Sequence, residues 1–209
     1  MDKIRLTWLG HSCFLASAEG YTIAFDPYSK GSVPGIDLYD PEANEVICSH
    51  EHGDHNYREG VKLIKGGVNP FKVTTIESFH DPEEGAQRGP NNITILEYKG
   101  IRVAHLGDIG CMPKEEQLEQ LRGLDAVMIP VGGRFTLEAL AAVELVVRIR
   151  PRVVIPMHFR DKKMGLPMIS TPESFLIRMG DVVYHKENYI DISKETSPQT
   201  AMLKAKTGK

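Results

Sequence analysis

Within the segment Cys48-Ser49-His50-Glu51-His52-Gly53-Asp54-His55, three histidines and one aspartate fall inside six residues, in the order His-x-His-x-Asp-His. Neutral imidazole and carboxylate are the ligands that borderline divalent metals such as zinc prefer. The preceding Glu45 to Ser49 reads as a short strand. If the extended conformation persists through His52, residues two apart point the same way, so His50 and His52 can close on one metal. Gly53 then lets the chain turn, and Asp54 and His55 can face a second metal beside the first. The competing reading is a solvated polar turn.

Further candidates follow strand-like runs. His80 comes after Phe71 to Phe79, Asp108 sits just past Ile101 to Leu106, and His158 lies past Val153 to Ile155. In sheet-based α/β proteins, functional groups gather at the carboxyl ends of strands. Singly, each could be an ordinary loop residue; together with the histidine motif they form a set. His11 lies in a Gly-His-Ser turn between two strands. His105 falls inside a strand and reads as structural. Asp26 ends a strand and is a plausible partner for a ligand histidine.

Other strands are expected at Ile4 to Leu9, Cys13 to Ser17, Tyr21 to Phe25, Ile93 to Tyr98, Ala126 to Pro130 and Val182 to His185. Helices are expected at Tyr57 to Ile64, Lys114 to Leu121, Leu137 to Arg148 and Pro172 to Met179, with Thr136 and Thr171 as N-caps. Early strands arrive as hairpins and later ones alternate with helices, which favours a mixed α/β domain with sheets inside and helices outside. The 209 residues suit one domain, with a polar, lysine-rich tail from 195 to 209 expected to be flexible.

A net charge of −3 argues against a broad nucleic-acid footprint. Three scattered cysteines, Cys13, Cys48 and Cys111, offer no disulfide framework and point to a reducing, cytoplasmic setting. The apolar run after Met1 is broken by Gly10, His11 and Ser12, so it does not read as a signal peptide. No membrane span is expected either, since the longest apolar candidate, 137–147, contains Glu138 and Glu144.

Trp8-Leu9-Gly10-His11, Asp26-Pro27, the His50 to His55 motif, His80, His105-Leu106-Gly107-Asp108 and Ile155-Pro156-Met157-His158 together resemble the metallo-β-lactamase superfamily. The branch most similar is that of small metal-dependent hydrolases, which includes ascorbate-6-phosphate lactonases and N-acyl-phosphatidylethanolamine phospholipase D enzymes. The resemblance implies a four-layer αββα sandwich with metals in a cleft at one edge of the sheets. It implies that one metal takes His50, His52 and His80, that the other takes Asp54, His55 and His158, and that Asp108 bridges. Zinc is the first expectation, with manganese or iron as alternatives.

The implied function is hydrolysis of a small anionic substrate, a phosphodiester or a lactone, by a metal-bridging hydroxide, with Asp54 as the catalytic carboxylate. Two divalent metals against Asp54, Asp108 and hydroxide leave one positive charge, which favours an anion. His11, Arg134 and Arg160 are candidate substrate contacts, and Arg88 also lies near the motifs; each arginine could equally pair with a surface carboxylate. The alternatives are a nuclease acting on RNA or DNA, an iron-dependent oxidoreductase with the same ligand motif, and a non-catalytic binding module. A homo-oligomer stays open.

Overall fold

The computed structural model describes residues 2–38 and 40–205. Strands β1 (Ile4–Gly10), β2 (Cys13–Ala18) and β3 (Tyr21–Phe25) form an antiparallel meander, and β4 (Glu42–Ala43), β5 (Glu45–Ile47) and β6 (Lys62–Leu63) follow. Next come β7 (Lys72–Phe79), β8 (Pro90–Tyr98), β9 (Ile101–His105), α1 (Glu115–Leu121), β10 (Ala126–Pro130), α2 (Ala139–Ile149), β11 (Val153–Met157) and α3 (Glu173–Met179). The last strands among the described residues are β12 (Val182–Tyr184), β13 (Tyr189–Ile192) and β14 (Gln199–Met202).

Two sheets carry the fold. The five-stranded sheet has the order β13-β1-β2-β3-β5, the seven-stranded sheet β12-β14-β11-β10-β9-β8-β7, and β4 and β6 form a separate pair. Along β1, buried Ile4, Leu6 and Trp8 alternate with half-buried Arg5, Thr7 and Leu9, the period-two pattern of a sheet with one face in the core. In β10 and β11 every residue is buried, so both faces of that part of the larger sheet are covered. Helix α2 buries Ala142, Leu145, Val146 and Ile149 at helical spacing and packs against both α1 and α3. The result is an α/β sandwich of the expected type.

Strand direction, more than strand order, positions the candidate ligands. Strands β1, β3 and β5 run the same way in one sheet, as β7, β9, β10 and β11 do in the other. Their carboxyl ends therefore deliver His11, Asp26 and the histidine motif from one sheet, and His80, Asp108 and His158 from the other.

Several local expectations need correction. The segment 57–64 is no α-helix: a 3-10 turn at Arg58–Gly60 leads into β6, whose backbone pairs with β4 in a non-local contact that a short window cannot see. Glu138 rather than Thr136 is the N-cap of α2, and Pro172 rather than Thr171 is that of α3; no side chain caps either helix. Residues 195–205 are not a loose tail. They contain β14, which lies between β11 and β12 with Thr200 and Ala201 buried, while 206–209 fall outside the described residues. Among the described residues, no helix is long and apolar enough to cross a membrane.

Candidate metal centre

The histidine motif is a loop, not a strand extension. β5 ends at Ile47, and the backbone N–H groups of His55 and Asn56 both donate to the His52 carbonyl, folding the segment back on itself. Gly53 has no positive φ, and a Cβ there would meet only Ser29 Oγ, at 3.9 Å. The turn does not need its glycine. His50, His52 and His80 nevertheless bring one ligand atom each within 4.8 Å of the others, and so do His11, Asp54, His55 and His158.

Asp108 joins these two groups. Its Oδ2 lies 3.1 Å from His55 Nε2, 3.1 Å from His158 Nε2 and 3.3 Å from His80 Nε2. The Asp108 backbone N–H donates to Asn91 Oδ1 at 2.8 Å, and the Asn91 amide donates to Ser78 Oγ and the Leu106 carbonyl. Gly107 is required beside it: its φ is +57°, and a Cβ would stand 2.3 Å from Asn91 Oδ1 and 2.5 Å from Ser49 Cβ.

Hydrogen bonds assign the tautomers of three ring systems. Ser49 Oγ donates to Asp26 Oδ2 at 2.6 Å, so at the 2.9 Å contact His50 Nδ1 must be the donor and Nε2 carries the lone pair. His55 Nδ1 donates to the same carboxylate oxygen at 2.8 Å, and His80 Nδ1 donates to the Phe135 carbonyl at 2.9 Å. Each Nε2 is thereby freed for a ligand, the arrangement that carboxylate and carbonyl partners impose on metal-binding histidine. His50 Nε2 and Asp108 Oδ1 are buried with no hydrogen-bond partner, a costly condition that a cation would relieve. This donor set, of imidazole nitrogens and carboxylates, fits borderline divalent metals.

The electrostatics are those of a site built for cations. Burial, with His158 adding to it, pushes the His11 imidazole down to about 4; burial, with His55 adding to it, pushes that of His50 down to about 3. His55 goes the other way: burial opposes its charge, but Asp108 and Asp26 outweigh burial and raise it well above the usual histidine range. Burial alone would lift Asp108, yet the imidazoles of His158 and His55 hold it well below the normal carboxylate value. Strained backbone accompanies this cluster, since His11, Asp26 and His158 all have φ between 42° and 51°.

Residues 5–158 match the model of the family described as beta-lactamase superfamily domain. The chain belongs to the beta-lactamase superfamily. Within the superfamily it is 30% identical over 192 residues to a metal-dependent hydrolase of Desulforamulus reducens, covering 75% of this chain and 84% of that one. It is also 30% identical over 193 residues to a metal-dependent hydrolase of Korarchaeum cryptofilum, covering 75% and 83%. Among solved structures, a candidate zinc-dependent hydrolase of the metallo-beta-lactamase superfamily from Thermotoga maritima superposes with a TM-score of 0.76, at 27% identity, over 96% of this chain and 97% of that one. This superfamily member is thus a metal-dependent hydrolase.

The remaining sequence candidates separate in space. His105 is structural: its Nε2 meets the Ser12 carbonyl at 2.8 Å and its ring stacks on Phe25. His11 enters the cluster, with Nε2 3.3 Å from Asp54 Oδ2. A cleft of about 320 Å³ opens over the centre, lined by His52, Asp54, His80, Arg88, Asp108, Phe135, His158 and Leu166. Arg160, expected at its mouth, is not on this lining; its Nε donates to the Ile169 carbonyl at 2.6 Å, which ties it to a neighbouring loop. Arg134 is not on this lining either; its guanidinium carbon lies over the Phe135 ring, 5.8 Å from the centroid. The sequence reading missed Asn91, whose strand position gave no signal, and Ser49, whose place next to His50 could have given one.

Proposed function

We propose that this hydrolase is binuclear and acts on a small anionic substrate, with a phosphodiester or a lactone as the bond attacked. The observation that carries the reading is the position of Asp108 Oδ2, within 3.3 Å of histidine nitrogens from both donor groups. In this reading His50, His52 and His80 hold one metal, Asp54, His55 and His158 hold the other, and Asp108 contributes to both. Zinc matches the ligand types best. When bound, the metals supply a water of lowered pKa and polarise the scissile group.

The protein's own groups do the rest. Asp26, Ser49 and the Phe135 carbonyl fix the ligand imidazoles, so little reorganisation accompanies binding. Asp54 faces the cleft with His11 against its carboxylate, a position from which it can orient the attacking water and take up its proton. Four positive charges from two divalent ions exceed the two negative charges of Asp54 and Asp108, which draws an anionic group into the cleft. The cytoplasmic assignment rests on cysteines that are all free.

Metal analysis of natively purified protein, followed by phosphodiester, lactone and thioester substrates, tests the proposal. Close to two equivalents of metal, with turnover of an anionic ester or lactone that a chelator abolishes, is the expected result. One equivalent at most after reconstitution, or redox turnover dependent on bound iron, would overturn it.

A further inference from the structure

Most arginines near charged neighbours in this chain end on an acceptor. Arg5 reaches Asp191, Arg122 reaches Glu115 and Glu119, Arg148 reaches Glu144 and Arg152 reaches Asp125. Arg88 and Arg134 do not. Their guanidinium carbons stand 5.3 Å and 5.8 Å from the centroid of the Phe135 ring, and neither side chain has a hydrogen bond or ion pair among the described residues. Glu138, the nearest carboxylate to Arg134 in sequence, accepts that residue's backbone N–H instead.

Both arginines are held in place by their backbones. The buried Asp81 carboxylate accepts the N–H groups of Glu83, Gly85, Gln87 and Arg88, at 2.8 to 3.2 Å, and so clamps the loop that presents Arg88. Arg134 has φ +57°, a left-handed conformation that a non-glycine residue keeps only when its surroundings impose it. Phe135 itself is anchored to the centre, because its carbonyl accepts from His80 Nδ1. Two guanidinium groups without a carboxylate partner among the described residues thus stand about the Phe135 ring; that ring and Arg88 line the cleft, and Arg134 is exposed on the same ring.

We propose that Arg88 and Arg134 bind the anionic group of the substrate, and that this group is a phosphate-class dianion remote from the bond being broken. The proposal rests on the hydrolase reading and deepens it. Planar guanidinium forks match phosphate oxygens, and two of them match two charges. Phe135 and Leu166 offer apolar surface for the part of the substrate between this group and the metals.

The test uses inorganic phosphate as the probe and acetate as the carboxylate comparison. Each is titrated calorimetrically at fixed ionic strength into wild-type protein, Arg88→Ala, Arg134→Ala and the double variant, with metal content measured in every sample. Phosphate affinity should fall by roughly tenfold or more in each single variant and further in the double one, at unchanged metal content. Arg88→Lys should recover part of the loss. Equal phosphate affinity in the wild type and the double variant would overturn the proposal, because the anion would then sit on the metals alone. Equal losses for acetate and phosphate would overturn the dianion assignment. A loss of phosphate binding in the variants of a protein that never holds more than one equivalent of metal would support the arginine site while sinking the binuclear reading.

Discussion

His11 sets its Nε2 3.3 Å from Asp54 Oδ2 across 43 residues of sequence. The contact is imposed from the backbone. The His11 carbonyl accepts from Trp8 Nε1 at 2.9 Å and from the His158 N–H at 3.2 Å, and its φ of 51° turns the ring inward, where it is fully buried. A ring held this way fixes the carboxylate without being one of the ligands that the superfamily resemblance implies.

Replacing His11 should therefore loosen Asp54 rather than empty the centre. His11→Ala is expected to lower turnover and metal affinity by about 10- to 100-fold, the usual effect of losing a group that orients a ligand. His11→Asn should do less damage, since asparagine tolerates positive φ and can donate a hydrogen bond. Chelator competition and kcat on the same samples check both. Unchanged affinity and turnover in His11→Ala would remove the positioning role.

Asp108 and His80 should behave differently in metal analysis. Asp108→Ala deletes the oxygen that approaches His55, His80 and His158, so both metals should be lost or strongly weakened. His80→Ala removes one donor from one group and should mainly affect a single equivalent. Full metal content and turnover in Asp108→Ala would rule out a shared ligand.

Two glycines beside the centre make a paired stability test. Gly107→Ala must place a Cβ at positive φ and against Asn91 and Ser49, which should cost at least about 2 kcal/mol and displace Asp108. Gly53→Ala meets no close atom and needs no unusual φ, so its urea midpoint should match wild type. Equal midpoints for the two variants would mean that the packing around Gly107 relaxes freely.

The gathering of the histidine motif, His80, Asp108 and His158 was legible because each follows a short hydrophobic run that reads as a strand, and parallel strands end on one side. What was not legible depends on distant pairing. β6 exists because Lys62 and Leu63 meet Glu42 and Ala43, and β14 because polar Gln199 and Thr200 meet Val153 and Val154. β13 carried a readable alternation, with Ile190 and Ile192 buried, but its partner β1 lies at the other end of the chain. Asn91 has the composition of an ordinary strand residue and acts only through the turn it meets. Sequence distance also misled: Arg160 is two residues from a candidate ligand yet faces another loop, whereas Arg88 reaches the cleft from its own clamped turn.

The metal-stripped protein should be most stable near pH 6.5. His11 and His50 are buried and held neutral, with values of about 4 and about 3, while the unfolded chain protonates them near 6.5. Below pH 6.5 the unfolded state therefore binds more protons, and stability falls as pH falls toward 4, by up to about 1.4 kcal/mol per pH unit for each group. His55 acts with the opposite sign. Its folded value is raised by Asp108 and Asp26, so its contribution is fully present below 6.5 and is lost as pH rises through the folded value. Urea midpoints of chelator-treated protein at pH 5, 6.5 and 8 should peak in the middle. Restoring metal should lift the midpoint at pH 8 and release protons, because the ion takes the place of the His55 proton. A midpoint that rises steadily from pH 6.5 to 8 without metal would show that His55 carries no such proton.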